Sequence, residues 1–507
     1  MITLKIKAKE KHEISPYLYM QFMEPLGVCD SSVDAAWDFV ENKWHQSVID
    51  KVNELAPTMV RFGGCFASYY HWKEAIGPYK ERTPMINYLW GGMYNNQVGT
   101  HEVMDFCQKA NAEPLLVVNM ESDGRMHWAY PKNGENRFGT AEEAAEWVDY
   151  CNNPDNKLRL SLGNKAPYNV KYWQIGNETS YCATGYNADQ CVEATIRFAK
   201  AMRKADPSIK LIGWGDQSKT DNSWCKKMSQ VEDVDMIAFH HHWGSGLPNS
   251  PLRATDYRND WENTWTHLMN SHKSMEETMA RMRADCGSKR LAMTEGHFSI
   301  PGRNRNEVLS SWGAGVAYAR CHNVIMRNSD LLDIATMADF FGTTWQVNAL
   351  LIPNNLCQNP SSPDLHPKSP YLQPVGAVMS LFGHHQGKHA LDIAYDGAID
   401  AVASMTDNKV FLHVANTDMN YSQTLKLDIG DKKIASAKMF YIATKAETEI
   451  TMDNPDCFAV QTANIESDTV ILPPAAVAAI EITLESKPPV QPVVCTAPIR
   501  GKYRLNP

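Results

Sequence analysis

The 507-residue chain has no run of eighteen apolar residues, so nothing in it reads as a membrane-spanning helix. It has no surplus of positive charge either. Lys and Arg number 49 against 58 Asp and Glu, a net charge of -9, which argues against a nucleic-acid surface but not against a neutral polar substrate. The twelve cysteines include no Cys-x-x-Cys pair and no dense framework, so most are expected as buried thiols. No His-Glu-x-x-His string occurs, and Gly63-Gly64 and Gly91-Gly92 do not make a dinucleotide-binding loop. Neither a metal nor a cofactor is expected. The opening Ile2, Leu4, Ile6 and Ala8 alternate with Lys5, Lys7 and Lys9 and lack an apolar export core, so they read as a strand. A cytoplasmic protein is expected, or a periplasmic or secreted one if a leader has been removed.

What the chain does have is alternation. From about residue 12 to 350, eight short apolar runs alternate with helical patterns: 14–20, 59–64, 114–120, 170–178, 210–215, 234–243, 290–295 and 331–340. Several are almost continuously apolar, as strands covered on both faces must be. Thr140-Ala-Glu-Glu143 is a capping-box pattern, and Asn152-Asn153-Pro154 stops the helix that it opens. Further helices are expected at about 192–205, 261–285 and 308–327. Eight such units in one stretch predict an α/β fold, a (β/α)₈ TIM barrel over 12–377. Pro360, Pro363, Pro367, Pro370 and Pro374 then mark a long loop. From about 378 to 507, short apolar runs separated by turn residues predict an antiparallel β-sandwich, which residues 1–11 are expected to join.

In such a barrel the side chains that do chemistry stand at the C-terminal ends of the strands. Glu24, Arg61, Glu121, Asn177-Glu178, His240, His242 and Glu295 all fall there. Glu178 and Glu295, on strands four and seven, can face each other across the mouth. Acetal hydrolysis needs such a pair, one carboxylic acid to protonate the leaving oxygen and one carboxylate to attack or activate water. A strand-end Glu can equally cap a helix or pair with Arg. His240 and His242, two apart on a strand, share a side and with Asp216 or His297 could form a mixed metal site. Cys65 could be a nucleophile or a small buried residue. Trp72, Trp90, Trp128 and Trp243 could stack on sugars or pack in the core.

Longer strings carry a resemblance. "FMEPLG" (22–27), "VRFGGCFASYYHWKEAIGP" (60–78), "NNQVGTHEVMDFCQKANAEPLLVVNM" (95–120), "PYNVKYWQIGNE" (167–178), "VDMIAFHHHWG" (234–244) and "TEGH" (294–297) occur in order. Together they resemble the α-L-arabinofuranosidase type of retaining glycoside hydrolase, family 51 of the (β/α)₈ glycosidase clan. "ILPPAAVAAIEITL" (471–484) is similar to that family's accessory sandwich. The resemblance implies Glu178 as general acid/base and Glu295 as nucleophile. It implies Asn177 at the 2-hydroxyl, Arg61 and Glu24 holding nucleophile and glycone, and His240 lining the glycone pocket. It further implies an exo-acting, double-displacement hydrolase of terminal α-L-arabinofuranosyl-type residues, with an oligosaccharide or glycoside substrate and a homo-oligomeric state.

The chain departs from the family pattern around the sugar. Cys65 stands near the place of a sugar-binding Asn, His242 replaces a Tyr, Gly296-His297-Phe298-Ser299 replaces a Trp-Asn-x-Trp run, and Trp345 stands where a Gln is usual. Cys65, His242, His297 and Trp345 are therefore expected at the glycone, and another glycone stays open: galactofuranose, another pentose, or an acidic or modified pyranose. A non-catalytic carbohydrate-binding barrel is the alternative from another class.

Overall fold

The computed structural model describes residues 1–122, 138–180, 186–216, 223–299, 306–353 and 369–485. The three prolines 360, 363 and 367 of the predicted loop, and Trp128, lie outside the described residues. Strands Gln21–Met23, Met59–Phe62, Glu113–Val118, Tyr172–Ile175, Lys210–Trp214, Met236–Trp243 and Arg290–Phe298 follow one another, each parallel to the next. The eighth comes in two pieces. Leu332–Ile334 pairs with strand seven, and Asp339–Gly342 pairs back onto strand one through Asp339 and Phe22. That closes the ring into the expected barrel. Almost every residue of these strands is buried, because helices cover the outside and side chains fill the inside. Among the described residues, no helix is long and apolar enough to cross a membrane.

Three local expectations need correction. The first strand is Gln21–Met23 and not 14–20: Pro16 has no N–H to give a ladder, so 14–20 meets the eighth strand at one β-bridge, Tyr17 with Ile334, and through scattered bonds such as Met20 N–H to the Ala335 carbonyl. The capping box at Thr140 is half formed. Thr140 Oγ1 accepts from the Glu143 N–H at 3.1 Å, but the Glu143 carboxylate takes His71 Nδ1 at 2.9 Å instead of reaching back. The helix expected over 261–285 is two, Trp261–Asn270 and His272–Asp285. They part at Ser271, whose hydroxyl donates to the His267 carbonyl, while the Asn270 side chain is held by the Ser245 carbonyl.

Nine strands form the second sheet, which curls into the predicted β-sandwich around Leu4, Ile6, Val410, Leu412, Leu425 and Ile480. Its neighbours are antiparallel with one exception: Ile2–Lys7 lies between His389–Ala394 and Gln423–Asp428 and runs parallel to the latter. The helix Pro374–Gly383 runs across position 377 and places Pro374 in its first turn, where a missing N–H costs nothing. The sandwich grips the barrel through polar groups. Asp400, buried, accepts from Arg320, Arg327 and Asn323, and the two guanidiniums hold its carboxyl below the usual range against the upward push of burial. Trp312 Nε1 donates to the Ala475 carbonyl at 2.7 Å.

His413 lies in the same seam, stacked on Phe382 with ring centroids 4.1 Å apart. Burial lowers its pKa to about 4. A histidine that stays neutral when folded but protonates near 6.5 when unfolded lends its full stability above pH 6.5. That contribution is lost as pH falls from 6.5 to about 4, by on the order of 3 kcal/mol. Urea unfolding at pH 7 and pH 4.5 should show the loss, and His413→Gln should shrink it. An unchanged difference would refute the assignment.

Candidate active site

Strand two ends on a buried cation. Arg61, fully enclosed, spends its guanidinium on three partners: Nε donates to Gln174 Oε1 at 2.9 Å, Nη1 to Glu295 Oε1 at 2.9 Å, and Nη2 to Asn177 Oδ1 at 2.5 Å. One arginine thus ties strands two, four and seven together at the C-terminal end of the barrel. Removing one partner of such a buried pair is costly, since it strands the other charge.

Glu178 stands three residues past the end of strand four, which stops at Ile175 and not at Glu178 itself. The chain turns there through two left-handed residues, Gly176 at φ 73° and Glu178 at φ 48°. A Cβ on Gly176 would meet Thr179 Cγ2 at 2.7 Å, so the glycine is needed. A non-glycine residue in that region costs of order 1 kcal/mol or more and persists where its surroundings fix it. What fixes Glu178 is His240, whose Nδ1 lies 2.7 Å from Glu178 Oε1, while Nε2 reaches Thr294 Oγ1 at 3.0 Å.

His240 faces Glu295 because of a bulge. Strands six and seven pair Phe239 with Met293 and then His240 with Glu295, so Thr294 is the extra residue. His240 Nδ1 lies 3.5 Å from Glu295 Oε2. Glu178, His240 and Glu295 each offer a side-chain atom within 4.8 Å of the others. One oxygen of each carboxyl thus lies within 4.8 Å of the other, which fits the close pair of a retaining glycosidase better than the spacing of about 6.5 Å or more in inverting ones. Burial pushes the Glu295 carboxyl up; His240 and Arg61 pull it back, and Glu178 pushes it up again.

Glu24 follows strand one and is pushed well above the usual carboxyl range by burial first and by the like charge of Glu295 second. Its Oε1 accepts from Trp90 Nε1 at 2.8 Å. Gly64, at φ 135°, makes room for it: a Cβ there would stand 2.2 Å from Glu24 Cδ. Trp90 in turn meets Trp345 edge to face at 5.2 Å, which brings Trp345 to this group. The Trp345 loop is fixed by Asp30, which accepts from the backbone N–H groups of Thr343, Thr344 and Trp345.

The Cys65 thiol lies 3.6 Å from Glu178 Oε2 and accepts from Asn177 Nδ2 at 3.9 Å. It thus touches Glu178 and its neighbour Asn177. Loss of such contacts is worth about one hydrogen bond, so Cys65→Ala should leave turnover within about tenfold. Loss as deep as that of removing Glu295 would make the thiol the nucleophile.

The three consecutive histidines divide by side. His241 points out of the barrel to Ser274 and Thr278, and His240 and His242 point in. His242 packs 4.5 Å from the His297 ring, and His297 Nδ1 pairs with Asp339 Oδ1 at 2.7 Å. Burial would lower the His297 pKa, but Asp339 outweighs it and the net shift is upward; His242 goes well down through burial and through the charge of His297. Asp216 pairs with Arg281 at 3.3 Å, so it does not complete the metal set suggested for it. Glu178, His240 and Glu295 are the one metal-like group among the described residues, and they suit a cation poorly. Arg61 already places a fixed positive charge 2.9 Å from Glu295, and a metal would have to break the His240–Glu178 bond.

Trp72 stacks on Trp147 and Trp243 packs against Phe298, both in the core and not at the mouth. Sequence reasoning missed Gln174, Thr294 and Asp339. Gln174 and Asp339 do leave a signal, as single polar residues in otherwise apolar strands: Trp173-Gln174-Ile175 and Ala338-Asp339-Phe340.

Comparison with known proteins agrees with this geometry. The family model "Alpha-L-arabinofuranosidase 1 domain" matches residues 51–280. Alpha-L-arabinofuranosidase C of Emericella nidulans is 32% identical over 268 residues, 48% of this chain and 50% of its own length. An intracellular exo-alpha-(1->5)-L-arabinofuranosidase of Acetivibrio thermocellus is 29% identical over 46% of each chain. The chain thus matches about half the length of these curated relatives. Among solved structures, an alpha-L-arabinofuranosidase from Thermotoga maritima superposes with a TM-score of 0.73 at 22% identity, over 96% of this chain and all of the other. The GH51 arabinofuranosidase from Xanthomonas axonopodis pv. citri gives 0.76 at 18%, over 95% and 99%. These two likenesses establish the shared barrel-and-sandwich fold. The family model, the sequence relatives and the solved folds point the same way: the chain is similar, at modest identity and over about half its length, to family 51 α-L-arabinofuranosidases, and it shares their fold.

Proposed function

We propose that the protein is a retaining, exo-acting glycoside hydrolase that releases terminal furanosyl residues of the α-L-arabinofuranosyl type from an oligosaccharide or glycoside. The observation that carries this is the spacing of Glu178 and Glu295, within 4.8 Å across His240. Glu295, oriented by Arg61, attacks the anomeric carbon as Glu178 gives its proton to the leaving oxygen. Glu178 then takes a proton from water, which attacks the anomeric carbon from the face that the leaving group vacated and displaces Glu295, so the configuration is retained. The strained backbone at Glu178 supports this assignment, since such strain gathers where a side chain must be aimed. Asn177, Glu24, Cys65 and Trp345 line the glycone in this proposal, and His240 steadies both carboxyls.

The test is hydrolysis of 4-nitrophenyl α-L-arabinofuranoside followed by NMR in time. The first sugar released should carry the anomeric configuration of the substrate. Inversion would refute double displacement, and binding without turnover across aryl furanosides and pyranosides would favour the non-catalytic alternative.

A further inference from the structure

One rung above the carboxyls, the mouth holds a second polar cluster. His242 faces inward like His240, and His297 like Glu295, because side chains two apart on a strand share a side. The pairing register sets His242 opposite His297. Two residues along a strand advance ~6.6 Å, so the imidazole pair stands that much nearer the mouth than His240 and Glu295. Neither ring is sealed. His242 is half-buried and the His297 side chain keeps 13% exposure. Neither nitrogen of His242 has a hydrogen-bond partner among the described residues, whereas His297 is fixed by Asp339 from the eighth strand. An unpartnered imidazole beside an oriented one, open to the pocket, is a site for something polar.

Charge decides what. Among the described residues, the carboxyls of Glu24, Glu178, Glu295 and Asp339 gather with two cations, Arg61 and His297, and these already hold Glu295 and Asp339. A carboxylate on the sugar would stand beside Glu295 and Asp339 while both described cations are already paired, which discriminates against it. A hydroxyl both donates and accepts. A neutral His242 offers one nitrogen of each kind, and His297 adds Nε2, so the pair matches a hydroxyl-bearing arm. The ring-bound hydroxymethyl of a pentofuranose is short for this; the two-carbon diol arm of a hexofuranose reaches further.

We propose that His242, His297 and Asp339 form a subsite for a hydroxyl-bearing side arm of the glycone, making a neutral hexofuranosyl group the preferred substrate over a pentofuranosyl or uronosyl one. This rests on the furanosidase function proposed above and names its substrate class.

A β-D-galactofuranoside has the ring configuration of an α-L-arabinofuranoside and adds a carbon with a hydroxyl to its arm, so the two 4-nitrophenyl glycosides isolate the effect. For the full chain, kcat/KM should favour the galactofuranoside by about tenfold or more, and His242→Phe and His297→Gln should each lower that ratio about tenfold. Methyl β-D-galactofuranoside should also raise the Tm of the unaltered protein more than methyl α-L-arabinofuranoside does, a readout that needs no variant to fold. A ratio below one, a ratio that neither substitution moves, or equal Tm shifts would overturn the subsite and leave furanosidase action standing. Cleavage of neither furanoside would overturn both.

Discussion

Glu295→Gln is expected to lower kcat/KM on an aryl furanoside by roughly 10⁴-fold or more, the scale on which nucleophile removal acts. The amide is nearly isosteric, and its oxygen can still accept from Arg61, which keeps Gln174 and Asn177 as partners. What is lost is the negative charge that attacks the sugar and neutralises a buried guanidinium. The second loss also costs stability, by up to ~3–5 kcal/mol, so the activity should be read beside a thermal melt. A 2-deoxy-2-fluoro furanosyl fluoride, which slows the second step, should leave its sugar on Glu295 in peptide mass spectra. A label elsewhere, or residual activity within about a hundredfold, would remove Glu295 from the nucleophile's place.

Glu178→Ala should behave differently. General-acid loss is worth about 10²–10⁴-fold, and the figure should depend on the leaving group. A poor alcohol needs the proton, whereas dinitrophenolate leaves without it. Removing the side chain also opens a space beside His240, and small anions can enter there. Azide should therefore restore turnover and give a furanosyl azide with the substrate's anomeric configuration. Equal losses on good and poor leaving groups, with no effect of azide, would show that Glu178 holds the site together and does not move a proton.

Much of this could be seen in the residues alone, for a definite reason. Strands such as Glu113–Val118 and Lys210–Trp214 are, past their charged first residues, apolar on both faces, which distinguishes them from amphipathic helices without any partner in view. The first strand hid because Pro16 breaks a run that reads as extended, and its paired part is only three residues long. The eighth hid its division because an apolar run from Leu331 to Phe340 gives no sign of where pairing changes from strand seven to strand one. In the site, residue types and strand ends pointed to Glu178, Glu295 and Arg61. The bulge that sets His240 opposite Glu295 could not be seen, since the extra Thr294 looks like any other residue of an alternating strand. Nor could the left-handed turn at Glu178, which no residue type but Gly176 announces.

The strand Ile2–Lys7 has a consequence for biosynthesis. It lies inside the sheet, flanked on both sides by segments from beyond residue 388. The ribosome releases this strand before either neighbour, and both of those emerge only after the barrel sequence has been translated. Until then its backbone donors and its Ile2, Leu4 and Ile6 side chains have no native cover. The alternating lysines at 5, 7 and 9 give that waiting segment a positive charge, which deters it from pairing edge to edge with another nascent chain.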